Sequence, residues 1–318
     1  MLTVLFASRN GAGRLPRVLA AFERLDAPSG GWKLVVVENA STDATAEVLR
    51  GFEDRLPLTV LSQPRPGKNA ALNLGLTAAE GDLVILTDDD VLPAADWLVR
   101  LRAAADDNTA FDLFAGRIVP HFEIEPPDWL LRWAPLDIAY AAHPAGLPAG
   151  PVDPGMVWGP SMAVRRRVFD SGHRFDEHVG PTAGSYAMGS ETEFTQRVAL
   201  AGHASWYCPE AVVEHLVRAE QMTELWLCGR ALRYGRGALL RELAQGLHGG
   251  PRLAGVPRSL YADLLKAGYA AARARLSGDR RWRLHARLRW HEARGRLAQA
   301  RALARAGWPA AGARGAGA

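Results

Sequence analysis

In Gly81-Asp82-Leu83-Val84-Ile85-Leu86-Thr87-Asp88-Asp89-Asp90, four consecutive apolar residues, 83–86, run directly into a polar end carrying three acids. A short, continuous apolar run after a glycine reads as a strand buried on both faces, as in a mostly parallel sheet. In open α/β sheets the ligand crevice lies outside the carboxyl ends of the strands. Three adjacent carboxylates repel one another and need a counter-charge. A hard divalent cation held by oxygen ligands, with a substrate diphosphate on its far side, supplies one. A solvated acidic turn is the alternative, because Asp clusters after strands are also ordinary turn chemistry.

Upstream, the same grammar repeats. Residues 2–7 are apolar and end at Ser8-Arg9-Asn10-Gly11, a first strand. Residues 14–25 carry helical periodicity through Leu15, Val18, Leu19, Phe22 and Leu25. Residues 33–37 form a second strand, ending at Glu38-Asn39-Ala40-Ser41-Thr42-Asp43, where Ser41 or Thr42 is expected to cap the next helix. A third strand over 58–61, a loop over 64–69 and a helix over 70–79 complete the approach. Strand and helix alternating in this way imply a right-handed, doubly wound parallel sheet.

Downstream, 96–105 reads as a helix and 113–119 as a strand. From 121 to 155, frequent Pro and Gly with Trp129, Trp133 and Tyr140 indicate a long, partly helical connection over the site. Residues 157–164 are expected to return to the sheet, 165–169 to start a helix and 190–201 to form one; 205–208 and 212–215 read as two short strands. Beyond 222 the chain is helical and increasingly basic.

The 318 residues suffice for one large or two small domains, and 48% hydrophobic with 23% charged residues is ordinary for a globular protein. The net charge of +4 is uneven: eleven Arg against two acids, Asp279 and Glu292, lie between 273 and 305. Cys208 and Cys228 have no metal-site spacing and indicate no disulfide framework, which fits a reducing cytosol. The N-terminus turns polar too early for a signal peptide, and no apolar run approaches a membrane span.

Four segments in register carry a family likeness: Ala7-Ser8-Arg9-Asn10, Val36-Val37-Glu38-Asn39-Ala40-Ser41-Thr42-Asp43, Gly67-Lys68-Asn69-Ala70-Ala71-Leu72-Asn73-Leu74-Gly75 and Thr87-Asp88-Asp89-Asp90. Together they resemble the family 2 glycosyltransferases, over residues 1 to about 217. The resemblance implies an α/β GT-A-type fold, a doubly wound, mostly parallel sheet flanked by helices. It implies a catalytic domain over 1–217, with a nucleotide-binding half to about 118 and an acceptor-binding half after it, followed by a helical, Arg-rich region over 218–318. The implied activity is inverting, metal-dependent transfer of a sugar from a nucleoside diphosphate sugar, a UDP-sugar by preference, to a hydroxyl of a carbohydrate or lipid-linked acceptor. The usual setting is bacterial cell-surface or exopolysaccharide synthesis.

Carried over residue by residue, the resemblance puts Ser8, Asn10, Glu38, Asp43, Lys68, Asn73, Asp88 and Asp89 at the nucleotide sugar. Glu38 replaces the family's usual Asp; from the residues alone it either accepts hydrogen bonds from a ribose or a uracil-like ring, or is a helix N-terminal acid on the dipole. Asp90 and His215, in Pro209-Glu210-Ala211-Val212-Val213-Glu214-His215, stand at metal-ligand positions for Mg2+ or Mn2+, although a lone His is more often structural. Trp158 and Gly159 fall in an acceptor-side segment; Trp158 stacks on a sugar or simply ends a strand in the core. In Gly189-Ser190-Glu191-Thr192-Glu193-Phe194, alignment on Glu193-Phe194 makes Glu191 the general base and leaves Glu193 on the acceptor side, paired with Arg197. Ser190 replaces the usual Glu, so Glu193 is the competing choice of base.

In the tail, Ala286, Trp290, Ala293, Leu297, Ala300 and Ala304 form a stripe at helical spacing, flanked by Arg. Such a helix either lies on anionic lipid or packs on its own domain or a partner. The expected location is cytoplasmic, with peripheral contact at the inner face of the membrane through this helix, and nucleic acid is not an expected partner. Two other classes fit an α/β sheet with acids: a nucleotidyltransferase, for which Asn10-Gly11-Ala12-Gly13-Arg14 is a faint triphosphate loop, and a silent carbohydrate-binding scaffold.

Overall fold

The computed structural model describes residues 1–182 and 185–308. Strands and helices alternate from the N-terminus: β1 (Leu2–Ser8), α1 (Leu15–Phe22), β2 (Trp32–Asn39), α2 (Thr45–Arg50), β3 (Leu58–Gln63), α3 (Lys68–Leu76) and β4 (Leu83–Leu86). There follow β5 (Val91–Pro93), α4 (Trp97–Asp107), β6 (Leu113–Phe122), α5 (Asp128–Trp133), α6 (Leu136–Tyr140), β7 (Gly150–Pro151), β8 (Met162–Arg165) and α7 (Arg166–Asp170). Then come β9 (Gly180–Thr182), β10 (Ser185–Ala187), α8 (Ser190–Leu200) and β11 (Ser205–Val217). The chain continues through α9 (Glu224–Ala244), β12 (Arg252–Leu253), β13 (Val256–Pro257), α10 (Arg258–Arg275) and α11 (Arg280–Ala306). None of the described helices is long and apolar enough to cross a membrane.

The chain divides into two compact units. The first comprises Met1–Glu123, Leu136–His178 and Ser190–Val217; the second comprises Ile124–Pro135, Val179–Gly189 and everything from Arg218. The expected connection over 121–155 is thus split, with α5 in the second unit and α6 and β7 in the first. Residues 309–318 of the expected helical tail lie outside the described residues.

The first unit holds one sheet in the order β3-β2-β1-β4-β8-β6-β11-β5, with β7 added to β11. β3, β2, β1 and β4 are parallel, as alternating helices require, while β8 is antiparallel to both β4 and β6. Side chains alternate between faces along a strand, so a strand covered on both sides is apolar throughout. In β1, Leu2, Val4 and Phe6 pack into one core with α1 and α4, while Leu5 packs into a second core with Ala71 and Leu72 of α3. β4 divides the same way, Leu83 and Ile85 against Val84 and Leu86. This is why its apolar run is continuous.

Four local expectations are corrected. The strand expected over 157–164 is Met162–Arg165, preceded by a 3-10 turn at Gly159–Ser161, since Pro160 has no N–H for a ladder. The two strands expected over 205–215 are one strand, β11, with a register shift between Cys208 and Val212 that absorbs Pro209. Neither Ser41 nor Thr42 caps α2; Asp43 Oδ1 accepts the Thr45 N–H at 3.1 Å instead. β5 follows the three acids at once, too short to stand out in the sequence.

In the second unit, α9 and α11 cross so closely that a Cβ on Gly235 would lie 2.1 Å from the Glu292 carbonyl oxygen, and one on Gly295 2.0 Å from that of Leu232. The tail stripe is covered as a result: Ala286, Ala293, Leu297 and Ala300 are buried, and Leu297 and Ala300 pack with Leu239, Val256 and Leu260. Most of the stripe is therefore turned into its own unit, as the packing alternative has it, with Trp290 and Ala304 half-buried and the arginines flanking it.

Candidate active site

The carboxyl ends of β1, β2 and β4 bring the expected residues together as ion pairs. β4 ends at Leu86, and Thr87 anchors the turn by donating its hydroxyl to the Pro160 carbonyl at 2.8 Å. Each following acid then meets a basic side chain. Lys68 Nζ, at the first turn of α3, lies 2.6 Å from Asp88 Oδ1 and 2.6 Å from Glu191 Oε1 of α8. Asp89 Oδ2 accepts from Ser8 Oγ at 2.5 Å and from Arg14 at 2.6 Å. Asp90 Oδ1 lies 3.5 Å from His215 Nε2 of β11. Two of the three acids thus have a permanent side-chain counter-charge, and Asp90 has one only when His215 is protonated.

Burial and pairing push these groups apart in acidity. Burial opposes the Lys68 ammonium, but Asp88 and Glu191 outweigh it and hold the lysine protonated well above its usual range. Burial also opposes the Glu191 carboxylate, yet Lys68 brings it below the ordinary value. For Asp88 burial prevails, aided by the neighbouring charges of Glu191 and Asp90, and its carboxyl is raised despite Lys68. Asp89 is raised by burial against the pull of Arg14. Asp90, against burial, is lowered to about 2 by His215, Arg14 and Lys68. Neighbouring carboxyls driven in opposite directions are a mark of acid–base sites.

Asp90 and His215 also suit a divalent ion. His215 Nδ1 faces the Tyr140 carbonyl at 2.8 Å; a carbonyl only accepts, so Nδ1 carries the proton there and Nε2 is turned to Asp90. Metal-ligating histidines are commonly oriented through such an outer hydrogen bond. Without an ion the Asp90 charge outweighs burial and raises the His215 pKa. No group of three His, Cys, Asp or Glu converges among the described residues. Two protein ligands suffice for Mg2+, which usually keeps waters and takes its other oxygens from phosphates.

Around Glu191 the backbone is close. Its Oε2 accepts from Ser190 Oγ at 2.9 Å, and a Cβ on Gly159 would sit 2.8 Å from Oε1, so only glycine leaves that carboxylate in place. Glu193 points elsewhere, forming the anticipated pair with Arg197 through Nε at 2.7 Å. Trp158 donates its indole N–H to Gly155 O at 2.7 Å and stacks on His143 at 4.5 Å between ring centroids. One face of that ring is thereby occupied.

The remaining residues build a separate turn beyond β1 and β2. Asn10, in the left-handed region at φ 50°, accepts the Thr42 N–H at 2.8 Å. Glu38 Oε1 accepts the Ser41 N–H at 2.5 Å. Asp43 accepts from the Thr45 hydroxyl, which lowers its pKa, and from the Ala12 N–H at 3.1 Å. Asn73 is not with the acids: it clamps the backbone of Phe175 through both its amide groups, at 2.9 and 3.0 Å.

The sequence profile of glycosyl transferase family 2 matches residues 3–172. The chain belongs to that family. An uncharacterized glycosyltransferase of Mycobacterium tuberculosis is 34% identical over 131 residues, 41% of this chain and 54% of the relative. A probable glycosyltransferase of Bacillus subtilis is 24% identical over 77% of this chain and 57% of its own length. The match thus spans little more than half of the length of these curated relatives. Among solved structures, a mannosyltransferase from Pyrobaculum calidifontis in complex with GDP-Man and Mn2+ superposes with a TM-score of 0.61 at 21% identity, covering 93% of this chain and 86% of that one. S. aureus TarS 1–349 in complex with UDP-GlcNAc gives 0.55 at 16% identity, covering 96% and 91%. These likenesses identify the fold as GT-A.

Within this family 2 fold, Arg14 was not singled out from the sequence as a site residue. It is the N-cap of α1, holds Asp89 and carries a buried Nε with no hydrogen-bond partner. Its signal was a basic residue closing the turn after β1, read only as a weak triphosphate loop.

Proposed function

We propose that this chain moves a sugar from a nucleoside diphosphate sugar to an acceptor hydroxyl, inverting the anomeric centre, with a divalent ion as cofactor. The observation that carries the reading is the meeting of Glu191 and Asp88 on the one ammonium of Lys68. That contact brings a carboxylate from α8 to the end of β4, where the ligand crevice of an open α/β sheet lies.

Glu191 takes the acceptor proton as the hydroxyl attacks the anomeric carbon. It is ionised at neutral pH because its pKa is lowered. A carboxylate has about four lone-pair sites, and Lys68 and Ser190 use two of them, which leaves room for the hydroxyl. Glu38, Asn10 and Asp43, with the backbone they order, are assigned to the nucleoside, and Ser8 and Asp89 to the sugar nucleotide beside it. The positive charges of Lys68 and Arg14 are assigned to the side of the negative diphosphate. Asp90 and His215 would hold Mg2+ or Mn2+, which when bound neutralises charge developing on the departing diphosphate. Trp158, Gly159 and Glu193 are assigned to the acceptor side, for a carbohydrate or lipid-linked acceptor. The complexes of the structural neighbours with GDP-Man and Mn2+ and with UDP-GlcNAc support a nucleotide sugar as donor; UDP-sugars are the first to try.

The test is donor hydrolysis without acceptor, with Mn2+ or Mg2+, followed by identification of the products. Slow release of nucleoside diphosphate and a sugar of inverted anomeric configuration is expected. Release of pyrophosphate in a parallel reaction given a nucleoside triphosphate and a sugar 1-phosphate would instead mark a nucleotidyltransferase, and binding of sugars with no release in either reaction a carbohydrate-binding scaffold.

A further inference from the structure

The second unit contains a pocket of about 430 Å3 lined by Glu224, Ala271, Ala274, Arg275, Arg280, Arg283, Leu284 and Arg287. It lies where the start of α9, the last turns of α10 and the first turns of α11 meet. Its size is that of an ordinary small-ligand site. Four arginines face one acid, and that acid, Glu224, is already paired with Arg287. Arg283 spends one N–H on the Ser277 carbonyl at 3.2 Å, which fixes its place on the turn between α10 and α11. Arg275 and Arg280 are exposed. The floor, Ala271, Ala274 and Leu284, is apolar, with Ala274 and Leu284 buried.

We propose that this pocket binds the phosphate or diphosphate group of an amphipathic ester. A guanidinium presents five N–H donors in a planar fork that matches phosphate oxygens two at a time, and it stays charged at every working pH. A mere solvated Arg face would need neither a cavity nor an apolar floor, whereas an ester places its phosphate among the guanidiniums and its carbon chain on Ala271, Ala274 and Leu284. Two apolar side chains flank the same turn in sequence: Leu276, 92% exposed, and Trp282, 37% exposed. Trp beside Arg is the composition of a membrane–water interface. The ligand is therefore either a lipid headgroup or a soluble phosphate ester, and the shared chemistry is the phosphate. None of the lining residues belongs to the acid cluster at β4, so the inference does not depend on the reading of that cluster.

The experiment uses the full chain and two probes, inorganic pyrophosphate by calorimetry and vesicles of phosphatidylcholine with or without phosphatidylglycerol by co-sedimentation. The pocket variant combines Arg275→Gln, Arg280→Gln and Arg283→Gln and leaves the Arg287–Glu224 pair intact. The control combines Arg289→Gln and Arg294→Gln, two exposed arginines of α11 outside the pocket lining. Thermal melts check that both variants fold, and Arg283→Gln alone stands in if the triple variant does not. Pyrophosphate should bind wild type and control alike and weaken about tenfold or more for each pocket guanidinium removed. If anionic vesicles also bind and pyrophosphate displaces them, the source is a lipid headgroup; if only pyrophosphate binds, it is a soluble ester. The proposal is overturned if pyrophosphate does not bind the wild type, if it binds the pocket variant equally well, or if the control loses as much binding as the pocket variant.

Discussion

At the end of β4 each acid has a basic side chain beside it: Asp88 shares Lys68 with Glu191, Asp89 has Arg14 and Asp90 faces His215. Between 273 and 305, by contrast, eleven arginines have two acids within their own stretch, and α9 adds only Glu224, paired with Arg287, and Glu242, paired with Arg296. The difference follows from solvent. Side chains at the acid cluster are 11–31% exposed, so an unpaired charge there would carry a large desolvation penalty, and every carboxylate has a basic side chain beside it, Lys68 serving both Asp88 and Glu191. On α11 Arg289, Arg294, Arg301 and Arg305 are exposed beside a buried stripe of Ala and Leu, and charge of one sign is tolerated there. Paired, desolvated charge is poised for chemistry, whereas solvated charge of one sign is suited to attracting an anion.

The sharpest way to break this contrast is Asp90→Asn. The fold should persist, because neither neighbour loses apolar packing. Transfer should fall by about 10²–10³-fold, the scale on which a preorganised electrostatic group acts, and its dependence on Mn2+ should disappear. Full Mn2+-dependent turnover would reduce the Asp90–His215 contact to an ordinary structural ion pair.

Removing 279–318 addresses the other side. Leu284, Leu288, Leu297 and Ala300 of α11 are buried, so the truncated chain should lose the fold of its second unit. Limited proteolysis and circular dichroism would report it. A truncated chain with a fully cooperative melt would mean that α11 is a solvated appendage. A finer version is Gly295→Val, which forces a side chain onto the Leu232 carbonyl and should destabilise by about 1–3 kcal/mol, as overpacking does. An unchanged melting temperature would show that α9 and α11 can separate without penalty.

The smallest expected effect is a shift in pH dependence. Lys68 is what brings Glu191 below its ordinary pKa against the effect of burial. In Lys68→Met burial is opposed only by the Ser190 and backbone hydrogen bonds, the Glu191 carboxyl rises, and the base is ionised only at higher pH. The acid limb of the rate profile should therefore move upward in pH, with transfer above that limb partly retained. An unmoved limb would detach Glu191 from the rate.

The parts of this account legible in the sequence are those encoded locally. Residues 83–86 and 2–7 are buried on both faces and so are apolar without a break, and a strand end followed by acids needs no distant information. The pairing of those acids was not legible. Lys68 reaches Asp88 across 20 positions and Glu191 across 123, and Arg14 reaches Asp89 across 75. Only the assembled sheet brings them together. Gly235 and Gly295 were opaque for a different reason: glycine inside a helix ordinarily lowers its stability, and only the crossing of α9 and α11 turns that into a packing requirement. β11 ran on through Pro209, which reads as a break in sequence and is accommodated by a register shift.

The central claim is that the carboxylate held by Lys68, and not the one held by Arg197, takes the acceptor proton. The direct measurement is transfer rate together with donor dissociation constant for Glu191→Gln and Glu193→Gln. Glu191→Gln should keep donor affinity and lose about a hundredfold or more in transfer, the scale of a missing general base, while Glu193→Gln stays within a few-fold of wild type. An active Glu191→Gln beside an inactive Glu193→Gln would contradict the account and move the base two residues along α8.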